Sequence, residues 1–172
     1  RIATGRAVEP RLIRAVDGRP EPTGGDPEMG LNPEALRLVR DGMYAVVNDR
    51  RGTGYRSRIV DPAHAMAGKT GTSQVRIITP EERALCVGYA PYTAPRYAVA
   101  TGVEHGGGGS TAAAPIVRDV MMYALYGPTP PLEAYPEDQR EEIERAREAP
   151  PEAPEAPQET EPTTEAEVRD RA

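Results

Sequence analysis

Twenty of the chain's 21 basic residues are arginine, and the single lysine is Lys69. An ammonium is a compact point charge whose pKa can fall far enough to carry protons, whereas a guanidinium stays protonated. Lys69 lies in the run Met66-Ala67-Gly68-Lys69-Thr70-Gly71-Thr72-Ser73-Gln74-Val75, with hydroxyls and small residues on both sides. Other candidates for chemistry are few. Ser57, Ser73 and Ser110 are the only serines, and none has Lys three positions on or Asn two positions on. Cys86 is the only cysteine, which excludes an internal disulfide. With only His64 and His105 beside it, no metal site and no cofactor are expected.

The elements around Lys69 can be read from their patterns. Asn32-Pro33-Glu34 starts a helix, with Asn as N-cap, Pro at N1 and an acid in the first turn. Leu36, Val39, Met43, Val46 and Val47 fall on one face of it, and Asn48-Asp49 ends it. Gly42 inside weakens the helix or permits close packing. Ala67 to Ile78, Leu85 to Ala90 and Arg96 to Val103 read as three strands, the last two joined by Pro91-Tyr92-Thr93-Ala94-Pro95. Gly71 suits close approach of a backbone or ligand. On the third strand Tyr97, Val99, Thr101 and Val103 share one face. Ala98, Ala100 and Gly102 give the other a smooth surface where a helix could pack. A glycine-rich run, read as a flexible turn, leads into a last helix with Ile116, Val117, Val120, Met121, Ala124 and Leu125 as its apolar stripe. Gly127-Pro128 stops that helix. Earlier in the chain, Arg11 to Val16 reads as a short strand amid Gly- and Pro-rich loop.

Composition divides the chain in two. From Pro128 onward there are 14 acidic and 5 basic residues, a net charge of −9, and nine of the 19 prolines. Such a segment cannot bury enough apolar surface to offset its chain entropy, so 128–172 is expected to be a disordered tail with one short helix at Glu137–Glu148. Residues 1–127 form the folded part. They contain no Phe or Trp, which is thin material for an independent core. No apolar run reaches membrane-spanning length, and the chain opens on Arg1-Ile2-Ala3-Thr4-Gly5 without Met. The expectation is a C-terminal piece of a longer protein whose anchor lies upstream.

Lys-Thr-Gly is one of three elements that mark the penicillin-binding and β-lactamase serine acyltransferases, beside Ser-x-x-Lys and Ser-x-Asn. The wider run Gly68 to Val75 resembles the motif strand of class B penicillin-binding proteins. Gly42-Met43-Tyr44-Ala45-Val46-Val47-Asn48 with Gly52-Thr53-Gly54 is similar to the helix and turn before that strand. Val87 to Tyr92 and Tyr97 to Ala100, with Glu104-His105-Gly106-Gly107 after them, resemble the next two strands and their exit. The resemblance covers residues 1–127 and is to the elongation-type group, penicillin-binding protein 2.

That resemblance implies a partial transpeptidase (β-lactamase-like) α/β fold, an antiparallel sheet with packed helices. It implies a peptidoglycan D,D-transpeptidase acting on the D-Ala-D-Ala end of stem peptides and binding β-lactams. The location implied is the periplasmic face of the bacterial inner membrane, with cell-elongation membrane proteins as partners and no nucleic acid. By the same resemblance Lys69 is catalytic, supplying positive potential and helping to shuttle protons. Thr70 and Thr72 offer hydroxyls to the substrate carboxylate, Gly71 keeps the strand open, and the backbone N–H of Thr72 joins the oxyanion hole. The chain departs from the pattern in lacking the other two motifs, in its short Ile77–Arg83 link, and in Cys86 where a bulky aromatic is expected.

Two other readings arise. Ala63 to Thr70 nearly fits a phosphate-binding loop, but that loop must open a helix, and Thr72, Val75, Ile77 and Ile78 favour a strand. His105-Gly106-Gly107-Gly108 mimics an esterase oxyanion loop, yet no Gly-x-Ser-x-Gly accompanies it. A non-catalytic interaction fragment working through its acidic tail is the remaining alternative.

Overall fold

The computed structural model describes residues 1–22, 24–74 and 82–148. A small hairpin, β1 (Ala15–Val16) and β2 (Arg19–Pro20), turns through Asp17 and Gly18, both at positive φ. This is the turn geometry that suits a two-residue hairpin. The strand expected from Arg11 is therefore shorter, because only the residues flanking that turn are paired. Helix α1 (Pro33–Asn48) begins where the sequence says, with Asn32 Oδ1 accepting the N–H groups of Glu34 and Ala35. Its end is enforced by Gly52, where a Cβ would stand 2.5 Å from the Ala45 carbonyl oxygen as the chain doubles back.

Three antiparallel strands come next in sequential order: β3 (Ala67–Gln74), β4 (Glu82–Ala90) and β5 (Tyr97–Val103). The sequence-predicted extension of β3 to Ile78, and the short link, lie outside the described residues. A π-turn at Gly109–Ala113 opens into α2 (Ala114–Tyr126), and α3 (Arg140–Glu148) comes last. Helix α2 packs on the Val99/Val103 face of β5 and not on the smooth Ala98/Ala100/Gly102 face. Burying β-branched side chains removes more apolar area from water than burying alanine and glycine. The stripe of α2 is also rotated: Val117, Met121 and Met122 are buried, while Ile116 and Val120 point outward. On α1 only the C-terminal part of the expected stripe, Val47 above all, reaches the core. Gly42 meets nothing, so close packing is not its reason.

The core is built from Ile59, Met66, Cys86, Val117, Met121, Met122 and Tyr135. Three fully buried methionines fill space that a Phe or Trp would otherwise take. Tyr135 corrects the expected boundary at 127. Ala134, Tyr135 and Pro136 are buried, and Val60 N–H donates to the Ala134 carbonyl. The composition argument misses this because a few well-placed apolar residues suffice to dock an otherwise polar segment. The helix expected at Glu137–Glu148 is present as a 3-10 turn (Glu137–Gln139) running into α3. Disorder of the acidic tail is a reading whose remaining stretch, 149–172, lies outside the described residues.

One polar staple holds the approach to β3. Asp61 accepts from Tyr126 Oη (2.6 Å), from the Ala63 N–H, and pairs with His64 Nδ1 (2.7 Å). His64, then Tyr126, hold the carboxyl at about 2, below its ordinary value of 3.8. Burial and the facing carboxylate push the Tyr126 hydroxyl upward. A depressed carboxylate stabilises the fold above the unfolded pKa and loses that contribution as pH falls through the folded one. With its side chain 32 % exposed, Asp61 is expected to contribute about 1 to 2 kcal/mol at neutral pH. Asp61→Asn should cost that amount at pH 7, and the gap to wild type should close between about pH 4 and 2. Urea melts across that range check it; a gap independent of pH would refute the assignment.

Candidate functional site

Strand β3 pairs Lys69 with Val87, Thr70 with Cys86, Gly71 with Leu85 and Thr72 with Ala84. Side chains alternate along a strand, so the motif is split between two faces. Lys69 and Gly71 share the face of Leu85 and Val87, which are 40 % and 45 % exposed. Thr70 and Thr72 share the face of Ala84 and Cys86, on which α2 packs. Because β3 is an edge of the three-stranded sheet, alternate backbone N–H groups face away from β4.

The Lys69 ammonium is exposed, and its Nζ donates to the Thr70 carbonyl. It borders a groove of about 500 Å³ whose other wall is the C-terminal half of α1, at Ala45, Val46 and Asp49, with Arg51 and Thr53 at the turn. The Arg51 backbone N–H, then its guanidinium, hold the Asp49 carboxyl below its ordinary value. The groove thus carries two cations and one firmly ionised carboxylate. Behind the strand, burial pushes the Cys86 thiol up, with the charge of Lys69 acting in the opposite sense. Cys86 is core material.

Thr70 is 9 % exposed, and its Oγ1 lies 2.6 Å from Thr53 Oγ1. Its hydroxyl is therefore turned into the domain and shared with Thr53, which itself lies exposed at the groove. Thr72 is exposed, and the Gly109 N–H approaches its Oγ1 at 3.5 Å. A second clamp comes from Asn48, whose Nδ2 donates at 2.9 Å both to Tyr44 O in α1 and to Met66 O just before β3. The sequence marked Asn48 only as the end of a helix and Thr53 only as part of a turn. The available signal was a hydroxyl residue between two glycines, five residues after the Asn that ends a helix. Lys69 stands inside a strand, so the helix required by a phosphate-binding loop is absent where it is needed. Among the described residues, no group of His, Cys, Asp and Glu is placed to hold a metal ion.

An edge strand carrying Lys-Thr-Gly-Thr beside a groove that holds Lys69, Arg51 and Asp49, backed by one helix and flanked by another, can be compared with known proteins. Residues 1–122 match the penicillin binding protein transpeptidase domain. The chain belongs to the penicillin-binding transpeptidase family. Among relatives of this transpeptidase segment is the peptidoglycan D,D-transpeptidase MrdA of Haemophilus influenzae, 32% identical over 167 residues. That match covers 86% of this chain and 26% of the relative. MrdA of Escherichia coli K12 is 31% identical over 120 residues, covering 62% and 18%. Among solved structures, Pseudomonas aeruginosa penicillin-binding protein 2 in complex with WCK 5153 matches with a TM-score of 0.61 and 37% identity, covering 73% of this chain and 27% of that one. Helicobacter pylori penicillin-binding protein 2, in its complex with MreC, matches with a TM-score of 0.54 and 33% identity, covering 73% and 23%. The segment is of the penicillin-binding protein 2 type, and its fold is a partial transpeptidase fold, an antiparallel sheet with packed helices. It spans about a quarter of the length of the curated relatives it matches.

Proposed function

We propose that this segment supplies the Lys-Thr-Gly wall of a serine D,D-transpeptidase that cross-links peptidoglycan stem peptides during cell elongation and is acylated by β-lactams. The observation that carries the reading is the placement of an exposed Lys69 on an edge strand, at a groove that also holds Thr53. Acyl transfer needs a nucleophile, proton traffic, stabilisation of a developing oxyanion and a grip on the substrate carboxylate. Lys69 supplies a cation that can exchange protons with a hydroxyl held against it. Thr72 and the Thr53–Thr70 pair supply hydroxyls for a carboxylate. The outward N–H groups of the edge strand, that of Thr72 by family likeness, suit an oxyanion. A substrate in extended form would lie along Gly71, where no side chain intervenes.

The nucleophile is not among these residues. With no Ser-x-x-Lys in the sequence, the chain by itself binds a β-lactam reversibly and forms no ester. Among the described residues no helix is long and apolar enough to cross a membrane. We place the working protein at the periplasmic face of the inner membrane, with an anchor and the other two motifs on polypeptide beyond residues 1–172. A membrane-associated elongation protein is the partner suggested by the complex of the Helicobacter pylori protein with MreC. The test is incubation of the chain with a fluorescent penicillin. The band should be dark after denaturing electrophoresis, while NMR shows reversible perturbation of the Lys69–Thr72 amides. A label surviving denaturation would place a nucleophile in this chain. Unmoved amides at saturating ligand would remove the binding assignment.

A further inference from the structure

The glycine run before α2 has a more specific place in the structure than a flexible turn. Gly109 is buried and packs against the Gly71–Leu85 rung of the sheet. A Cβ on Gly109 would fall inside contact distance of the Gly71 and Leu85 carbonyl oxygens and 2.9 Å from Gly71 N. All three are backbone atoms of paired strands, so none can rotate out of the way. The Gly109 N–H also approaches Thr72 Oγ1 at 3.5 Å, the long limit of a hydrogen bond. The run has little slack. A Cβ on Gly106 would stand 2.9 Å from Val103 Cβ and 3.1 Å from Ala84 Cβ, and Gly107 has φ +65°. Beyond Gly109, the N–H groups of Thr111 and Ala112 both donate to the Gly108 carbonyl.

We propose that Gly109 is a positioning residue for the Lys-Thr-Gly strand, setting the Gly71 peptide and the Thr72 hydroxyl from the face opposite Lys69. Gly71 is then backed by Gly109 on one side and open on the other. A backbone held this closely keeps the ligand-facing groups at a fixed depth, and displacements of about 1 Å in such groups can cost 100-fold in rate. The inference rests on the functional reading only where it assigns Thr72 to the ligand.

The test uses the 172-residue chain, nitrogen-15 NMR and a diacetyl-Lys-D-Ala-D-Ala peptide as probe. The variants are Gly109→Ala, Thr72→Val and Thr72→Ser, with Gly24→Ala, in open space, as control. Gly109→Ala should move the Gly71 and Thr72 amides more than any β5 amide and weaken peptide binding at least tenfold, with the melting midpoint showing a folded chain. Thr72→Val should speed exchange of the Gly109 amide and weaken binding, and Thr72→Ser should restore both. Wild-type Gly71 and Thr72 amides in Gly109→Ala, or unchanged binding, would overturn the proposal. If Gly109→Ala does not fold, the Thr72 pair decides: equal Gly109 exchange in the two overturns it. A wild-type chain that does not bind the peptide sinks the functional reading instead, while the amide shifts still judge the positioning.

Discussion

In a full-length transpeptidase carrying this segment, Lys69→Arg lowers the second-order rate of acylation by a β-lactam about 100- to 10,000-fold and leaves the melting temperature nearly unchanged. The fold should tolerate the change. Lys69 is exposed on an edge strand, and its one described hydrogen bond, to the neighbouring Thr70 carbonyl, is one that a guanidinium can also make. The charge is conserved as well. What changes is the chemistry, because a guanidinium stays protonated at any working pH and cannot take up and return a proton. Its planar fork is also larger, and it would enter a groove that already holds Arg51 and Asp49. Loss of positioned acid–base help costs about 3 to 5 kcal/mol in barrier, which is the stated range in rate. The measurement is acylation kinetics of both forms, with thermal melting as the fold control. An unchanged rate would show that any cation serves, and the solitary lysine would have no chemical meaning.

The strand bearing Lys69 was legible because its signals agree at every level. Hydroxyl and β-branched residues favour a strand, and Gly68 sits where the Val87 carbonyl approaches. Helix α1 was legible from Asn32 and Pro33, since capping is a local interaction that needs no tertiary partner. The orientation of α2 was not. Its stripe is broad, and which edge of it faces the sheet depends on Val99 and Val103, long-range neighbours that periodicity within the helix cannot specify. The shape of the site was only partly legible. Lys69 and Thr72 are exposed, while the buried Thr70 and its bond to Thr53 come from packing of the turn after α1 against β3. A contact between residues 17 apart leaves no trace in composition or period. Gly109 was legible only as a glycine, because the reason for it is the backbone of a different strand.

The segment after Gly127 gives the second large effect: Tyr135→Ala should destabilise the chain by about 3 to 5 kcal/mol, which lowers its melting midpoint by on the order of 10 °C. Tyr135 is 5 % exposed within the main core, and the Arg118 and Arg147 guanidiniums lie 5.1 and 5.5 Å from its ring centroid. Arg118 is itself buried, paired with Asp119 at 2.8 Å and donating to Gln139 Oε1. Gln139 in turn donates to the Arg56 carbonyl at 2.7 Å, which ties the segment to the turn after α1. Removing the ring therefore opens a cavity and strips a partly desolvated cation of a favourable neighbour, and both costs act in one direction. Tyr135→Phe separates these from the hydroxyl. It keeps the ring under both arginines and should cost less than about 1 kcal/mol. The distinguishing measurement is a double-mutant cycle between Tyr135→Ala and Arg118→Met. Coupling of about 1 kcal/mol is expected if the stack contributes beyond burial. A drop below about 3 °C for Tyr135→Ala would mean that the acidic segment only rests on the surface. The folded unit would then end at Gly127, where composition alone places it.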